Sequence, residues 1–151
     1  MKDKEFYAQK AKENFEAGYN CCQAVLLAFK DELDIDDKQL ALLASGFGAG
    51  MGKLREVCGA VSGMNMVASL KLGYVEPKDL DKKAEIYAVI HGLADQFKSE
   101  CGSIICRELL GIKDDGSTVP SARTAEYYKK RPCTELCERA AKLVAQKINE
   151  Q

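Results

Sequence analysis

The sequence predicts an all-α protein, a compact single-domain helical bundle of about six to seven helices with a glycine-rich turn. Apolar residues recur at helical spacing along most of the chain, and no segment keeps the alternation typical of a β-strand for long. A chain of 151 residues is also long enough to form one hydrophobic core without disulfide support. We therefore interpret residues 1–151 as a single cysteine-rich helical domain.

The first part of the chain predicts three helices before the glycine-rich turn. The first covers about Lys4–Ala17 and ends at Gly18, and Asn20 is a suitable N-cap for the second, about Cys21–Leu33. The third begins at Asp36 or Asp37 and continues to the glycines. The apolar residues expected on the inner faces of these helices are Phe6, Ala11, Phe15, Cys22, Val25, Leu26, Phe29, Leu33, Leu40, Leu43 and Phe47.

The second part of the chain predicts four further helices. They cover about Glu56–Leu72, Asp79–Glu100, Ile104–Leu110 with Ser103 as its cap, and Pro132–Ile148. The mostly polar segment 112–131 is interpreted as a surface loop with a short helical turn near Thr124–Lys130.

Glycine is concentrated in the stretch Gly46–Gly63, where six of the eighteen residues are glycine. Gly46, Gly48, Gly50 and Gly52 alternate too densely for a stable helix, so we predict a wide turn that brings Cys58 to the start of the next helix. Neither a dinucleotide-binding fingerprint nor a P-loop matches this spacing. The alternative is that the glycines only form a tight corner between helices.

Charge and hydropathy exclude several classes of protein. Lys and Arg total 22 and Asp and Glu total 23, so there is no basic excess to bind nucleic acid or an anionic membrane surface. The charged start of the chain lacks the apolar region of a signal peptide, and no stretch approaches the roughly 20 apolar residues of a membrane span. We expect a soluble, cytoplasmic protein.

Seven cysteines are the compositional anomaly. A reducing cytosol disfavours structural disulfides, so this number indicates metal binding or redox chemistry. Free cysteine is also an ordinary small core residue, which can account for two or three of the seven. Cys22 fits an apolar helix face and is assigned to the core. Cys137 is interpreted as core as well, although its i,i+4 spacing from Cys133 also allows a shared metal or dithiol.

Four cysteines lie in the first turns of four predicted helices: Cys21, Cys58, Cys106 and Cys133. Free N–H groups at a helix start favour thiolate, which is both a nucleophile and a soft ligand for zinc or iron. The neighbouring cations Lys53, Arg55 and Arg107 are expected to be solvated, or to lower a thiol pKa where they point inward. His91, the single histidine, is expected to be half-buried, with metal ligation or proton relay as the alternative.

Several sequence segments resemble the C-GCAxxG-C-C family of redox-active proteins. They are YNCCQAVLLAF at Tyr19–Phe29, CGAVSG at Cys58–Gly63, CGSIICRELLG at Cys101–Gly111, and RPCTELCERAAKLV in the C-terminal helix. The family name gives Gly-Cys-Ala where this chain has Cys58-Gly59-Ala60. The resemblance implies that the family cysteines correspond to Cys21, Cys58, Cys106 and Cys133.

The resemblance also bears on the cofactor, because the family is similar to a domain attached to certain multihaem cytochromes with an iron–sulfur site. The chain has no Cys-x-x-Cys-His, so covalent c-type haem is not expected. We predict an iron–sulfur cluster or another thiophilic metal such as zinc on Cys21, Cys58, Cys106 and Cys133, with Gly59 and Gly63 allowing close approach.

Such a site serves electron transfer or sensing, with a redox partner that the sequence does not identify and a homodimer as one possible assembly. Two alternatives stay open. One is a metal-free thiol–disulfide oxidoreductase that uses two of the same four cysteines. The other is a structural or interaction domain in which the cysteines belong to the core.

Overall fold

Eight right-handed α-helices and no β-strand form the protein in the computed structural model, which describes residues 1–151. This confirms the predicted all-α class. No helix has the combination of length and hydrophobicity that a membrane crossing demands. The helices are α1 Lys4–Glu16, α2 Cys21–Ala28, α3 Asp37–Ala44, α4 Gly59–Leu72, α5 Leu80–Cys101, α6 Cys106–Leu110, α7 Ala125–Lys130 and α8 Cys133–Asn149.

Helix α2 lies at the centre of the bundle. Its sequence, CCQAVLLA, is apolar on every side except at Gln23, and it packs against α1, α4 and α8. A helix that is hydrophobic all round has to be surrounded by protein, which explains this position. By contrast, α8 buries only one face, with Leu136, Ala140 and Val144 at i, i+4 and i+8 directed into the core.

The N-terminus of α2 is fixed in place by Asn20. Its side-chain oxygen accepts from the backbone N–H of Gln23, while the Gln23 side chain accepts from the Asn20 N–H, which completes a capping box. The Asn20 amide also donates to the carbonyls of Ala44 and Ser45 at the end of α3. One side chain therefore holds the start of α2 beside the beginning of the glycine-rich segment.

Four helix boundaries differ from the sequence prediction by two residues or more. Helix α6 starts at Cys106 with Ile105 as its N-cap, so the predicted start at Ile104 with Ser103 as cap was wrong. Helix α2 ends at Ala28 and is followed by a 3₁₀ turn at Lys30–Glu32, and α3 ends at Ala44 before Phe47. Leu43, expected on the inner face of α3, is 51% exposed. Helix α4 starts at Gly59 instead of Glu56, because the residues just before it are extended and pair with the segment that precedes α6.

The glycine-rich segment turns in the left-handed sense. Backbone φ lies between 55° and 73° at five successive residues, which are Ala49, Gly50, Met51, Gly52 and Lys53. L-residues with a Cβ avoid this region at a cost of roughly 1–2 kcal/mol each, and they rarely occupy it in succession. The wide turn predicted from the alternating glycines is therefore a left-handed turn in which three of the five residues are not glycine.

Candidate functional site

One cavity of about 290 Å³ has Cys21, Cys58, Cys106 and Cys133 in its walls. These are the four cysteines that the sequence analysis selected, and tertiary packing alone brings them to the same place. Gly59 also lines this cavity. Gly63, predicted beside Gly59 as a cofactor-binding position, instead packs against Cys22 and Val25 between α4 and α2.

The start of a different helix supplies each of the four cysteines. Cys21, Cys106 and Cys133 are the first residues of α2, α6 and α8. Cys58 was predicted inside the first turn of its helix but is the N-cap of α4, with extended backbone. It still lies at the end of α4 where backbone N–H groups are free, and those of Val61 and Ala60 lower the pKa of its thiol.

A short antiparallel pairing holds the Cys58 and Cys106 segments together. Val57 and Ile105 form an isolated β-bridge. The Cys58 N–H donates to the Ile104 carbonyl at 2.8 Å, and the Cys106 N–H donates to the Glu56 carbonyl at 2.6 Å. Two cysteines that are far apart in sequence are thereby aligned by their backbones, independently of their side chains.

Two glycines allow this close approach of backbone to cysteine. A Cβ on Gly59 would lie 3.0 Å from the Cys21 Cβ, and a Cβ on Gly50 would lie 2.6 Å from the Cys106 Cβ. Real Cβ atoms do not come as close as the second distance. The glycine-rich segment therefore does more than turn the chain, since it makes room for the cysteine side chains at the cavity.

Positive charge predominates in the cavity walls, which include four Lys or Arg residues and no Asp or Glu. The most deeply placed is Arg55, only 6% exposed, whose Nη1 lies 3.7 Å from the Cys106 Sγ. This side chain is therefore not solvated, and the alternative holds: burial raises the pKa of the Cys106 thiol, and the inward-pointing Arg55 lowers it. Arg107, in contrast, is exposed and pairs with Glu56 at 3.0 Å.

The segment before α7 covers one side of the cavity and is fastened by Arg123. The Arg123 guanidinium donates to the Phe15 carbonyl at 2.8 Å and to the Tyr19 carbonyl at 3.0 Å. Its central carbon also lies 4.0 Å from the centre of the Phe15 ring, a cation–π geometry. These contacts attach the long polar segment to the junction of α1 and α2, so that Thr118 and Ser121 reach the cavity.

Burial keeps the thiols of the site protonated. Burial raises the pKa of Cys58 to about 12. Contact with the Cys21 thiol, together with burial, raises the pKa of Cys133 far above its ordinary value. At Cys21, Cys133 has a lowering effect, but contact with Cys137, burial and neighbouring thiols outweigh it and leave the pKa well raised. Without a ligand, the cavity therefore disfavours the thiolate form that the helix starts alone would favour.

The remaining cysteines and the histidine lie outside the cavity walls. Cys22 is fully buried, as predicted, with its Sγ 3.7 Å from the Met66 Sδ. Cys137 is also fully buried and contacts Cys21 from behind the cavity wall. His91 is exposed on α5, so the expectation of a half-buried histidine was wrong.

Buried thiols make the stability of the protein depend on pH. Burial raises the pKa of Cys22 and Cys58 to about 12, whereas a thiol in an unfolded chain titrates near about 8.5. Between these values the unfolded chain binds fewer protons than the folded one, so the stabilisation is fully present below about pH 8.5 and is lost as the pH rises towards 12. We expect urea titrations of metal-free protein to show this fall.

The variant Cys22→Ala provides the check on this pH dependence. It removes one of the titrating thiols, so its free energy of unfolding is expected to start lower but to fall less steeply above about pH 8.5 than that of the unmodified protein. An equal slope in both proteins would contradict the assignment of the pH dependence to buried thiols.

Possible metal ligands are not grouped around a single point in the structure. No group of three or more His, Cys, Asp or Glu residues is placed to bind a metal ion, and all seven cysteines are free thiols. The cavity is far larger than one ion requires, since a water molecule needs only about 10–15 Å³ by the same measure.

Comparison with known proteins gives one match. The family model described as "Putative redox-active protein (C_GCAxxG_C_C)" matches residues 19–147, a range that contains all four cavity cysteines. No curated protein and no solved structure matches the chain.

Proposed function

The chain belongs to this family of redox-active proteins, and from that premise we propose that it transfers electrons through an iron–sulfur cluster. The ligands in this proposal are Cys21, Cys58, Cys106 and Cys133. The observation that carries it is the position of these four thiols around one cavity, delivered by the starts of four helices. Iron–sulfur clusters are held by four cysteine thiolates in just such sets.

The size of the cavity supports a cluster over a single ion. A zinc ion requires four ligand atoms at about 2.0–2.3 Å, and no three potential ligands of this chain are so arranged. A cluster spans the space between ligands that are farther apart. Bound there, it would supply reversible uptake of one electron at a time.

The charges around the cavity support an anionic group. Four thiolates together with a cluster carry net negative charge, and Arg55 and Arg131 in the walls offset it. Because burial leaves the free thiols protonated, loading would release protons, as metal binding to cysteine generally does. The N–H groups at the starts of α2, α6 and α8 add further positive potential beside the sulfurs.

A second candidate function is thiol–disulfide exchange, which the contact between the Cys21 and Cys133 thiols favours. Exchange requires a thiolate to attack a disulfide. Both of these thiols have a raised pKa, so little of the nucleophilic form is present near neutral pH. The protonated state opposes exchange, whereas iron bound to the sulfurs displaces the protons and makes loading more favourable at higher pH.

Purification without oxygen tests the proposal. We expect the protein to be coloured, with absorption in the visible range that bleaches on reduction, and to contain iron and acid-labile sulfide in a fixed ratio to the chain. Reconstitution of metal-free protein with iron and sulfide should restore both.

Colourless protein that takes up neither iron nor sulfide on reconstitution would contradict the proposal. In that case, peptide mapping of the same samples tests the second candidate. A Cys21–Cys133 disulfide that forms and breaks with the redox buffer would support thiol–disulfide exchange. Zinc in stoichiometric amount would instead indicate a site that binds metal without electron transfer.

A further inference from the structure

The cations of the cavity wall have a second use when no cluster supplies negative charge beside them. We infer that Arg55, Lys53 and Arg131 form a binding site for a small oxyanion beside the thiols of the metal-free protein. Arg55 and Arg131 are also the cations that offset a cluster in the proposal above, so the two ligands compete for the same cavity.

Arg55 is the strongest evidence for an absent anion. It is 6% exposed, and no carboxylate lies within ion-pairing distance of its guanidinium. Its hydrogen-bond partner is the Cys106 Sγ at 3.7 Å, and the exposed Asp115 acts on it only from beyond ion-pairing distance. A buried cation without a close countercharge is strongly unfavourable in the protein interior. The geometry therefore leaves room for a negative group in contact with Arg55, and the cavity is where one can enter.

Lys53 and Arg131 bring two further positive charges to the same cavity. Lys53 ends the left-handed turn with a side chain only 13% exposed, and its single carboxylate neighbour is the exposed Asp115, at 4.0 Å. The Arg131 guanidinium lies 5.1 Å from the centre of the Tyr127 ring and has no carboxylate partner. Held by backbone and aromatic contacts, these cations remain available to a ligand.

The chemistry of the walls indicates the class of ligand. Besides the cations, the hydroxyl groups of Thr118 and Ser121 line the cavity, and no acidic side chain does. Guanidinium and hydroxyl groups donate hydrogen bonds to the oxygens of phosphate, sulfate and carboxylate groups. A volume of about 290 Å³ is sufficient for a small oxyanion.

Isothermal titration with inorganic phosphate and with sulfate tests the site on the protein as purified and on the same protein after removal of any iron. We compare the unmodified protein with the variants Lys53→Gln and Arg131→Gln. The control is Lys129→Gln, because Lys129 is exposed on α7 and does not line the cavity. One anion should bind per chain. Each cavity variant should bind about tenfold more weakly, as expected for loss of one charge-assisted hydrogen bond, and the control should bind unchanged.

Iron content and circular dichroism of every sample separate this proposal from the preceding one. In samples from which iron has been removed, weaker binding by variants that keep the helical content of the unmodified protein supports an anion site. If no sample contains iron but the variants still bind more weakly, the cluster proposal fails and the anion site stands. Absence of saturable binding for both anions, or equal affinity in the two cavity variants and the control, would overturn the inference.

Discussion

Replacing Gly50 with alanine is expected to destabilise the protein by about 2–5 kcal/mol, the sum of backbone strain and overpacking. Gly50 has φ +73°, where a residue with a Cβ is strained. The new Cβ would lie 2.6 Å from the Cys106 Cβ and 2.7 Å from the Arg55 Cα, neither of which is the mobile end of a side chain. Since domains are stable by only about 5–15 kcal/mol, this loss is large.

Alanine substitutions at two other glycines of the same segment separate the contribution of backbone strain from that of overpacking. Gly52 also has positive φ, but the nearest atom to its Cβ would be 3.4 Å away, so Gly52→Ala should lose only the roughly 1–2 kcal/mol of a left-handed L-residue. Gly46 has neither positive φ nor any atom within 4 Å of a Cβ, so Gly46→Ala should lie within about 0.5 kcal/mol of the unmodified protein.

Urea unfolding of the three variants measures these differences. The expected order of destabilisation is Gly50→Ala, then Gly52→Ala, then Gly46→Ala. Equal destabilisation by Gly50→Ala and Gly52→Ala would show that in solution the Gly50 backbone does not lie so close to the Cys106 side chain. In that case the segment would act only as a turn, which is the alternative that the sequence left open.

The strained backbone of the left-handed turn is held in place by contacts with the site. Backbone outliers occur where surrounding structure over-determines them, and they are concentrated at functional sites. Here the turn is closed by the Glu56 N–H, which donates to the Gly50 carbonyl at 2.9 Å, and Glu56 in turn accepts from the Cys106 N–H. The strain is thus linked through two hydrogen bonds to the position of a cavity cysteine.

Local sequence signals explain how much of this structure was predictable. Caps and periodicity depend on residues close in sequence, so Asn20 marked the start of α2 and the break at Gly102 marked the end of α5. The same signals placed Cys21 and Cys133 at helix starts, whereas Ser103 placed the start of α6 two residues too early and left Cys106 inside its first turn. Their meeting at one cavity depends on how the helices pack, and the spacing of the cysteines alone did not determine it.

Features that depend on tertiary contacts escaped the sequence analysis. Intrinsic preference opposes a left-handed conformation at Ala49 and Met51, and hydrogen bonds from the N–H groups of Arg55 and Leu54 to their carbonyls hold the turn. The burial of Arg55 escaped as well, because arginine is ordinarily solvated. The sequence did contain one sign that Arg55 belongs to the site. Arg55 lies three residues before Cys58, which was already assigned to the site.

Serine substitutions distinguish cysteines of the site from cysteines of the core. Cys106→Ser and Cys58→Ser are each expected to abolish or nearly abolish cluster content, because a hydroxyl is a poor ligand for iron where a thiolate is a good one. The fold should change little. Serine is close to cysteine in size, both residues border a cavity, and at Cys106 a hydroxyl can still accept from Arg55.

Cys22→Ser is the matched control, in a cysteine adjacent in sequence to Cys21 but directed into the core. Its Sγ has only the Met66 thioether as a partner, so a hydroxyl there would be buried without a good acceptor, at a cost of about 1–3 kcal/mol. We expect reduced stability in urea titration with full iron and sulfide content per folded chain. Loss of the cluster in Cys22→Ser together with its retention in Cys58→Ser would mean that the site and core cysteines are assigned the wrong way round.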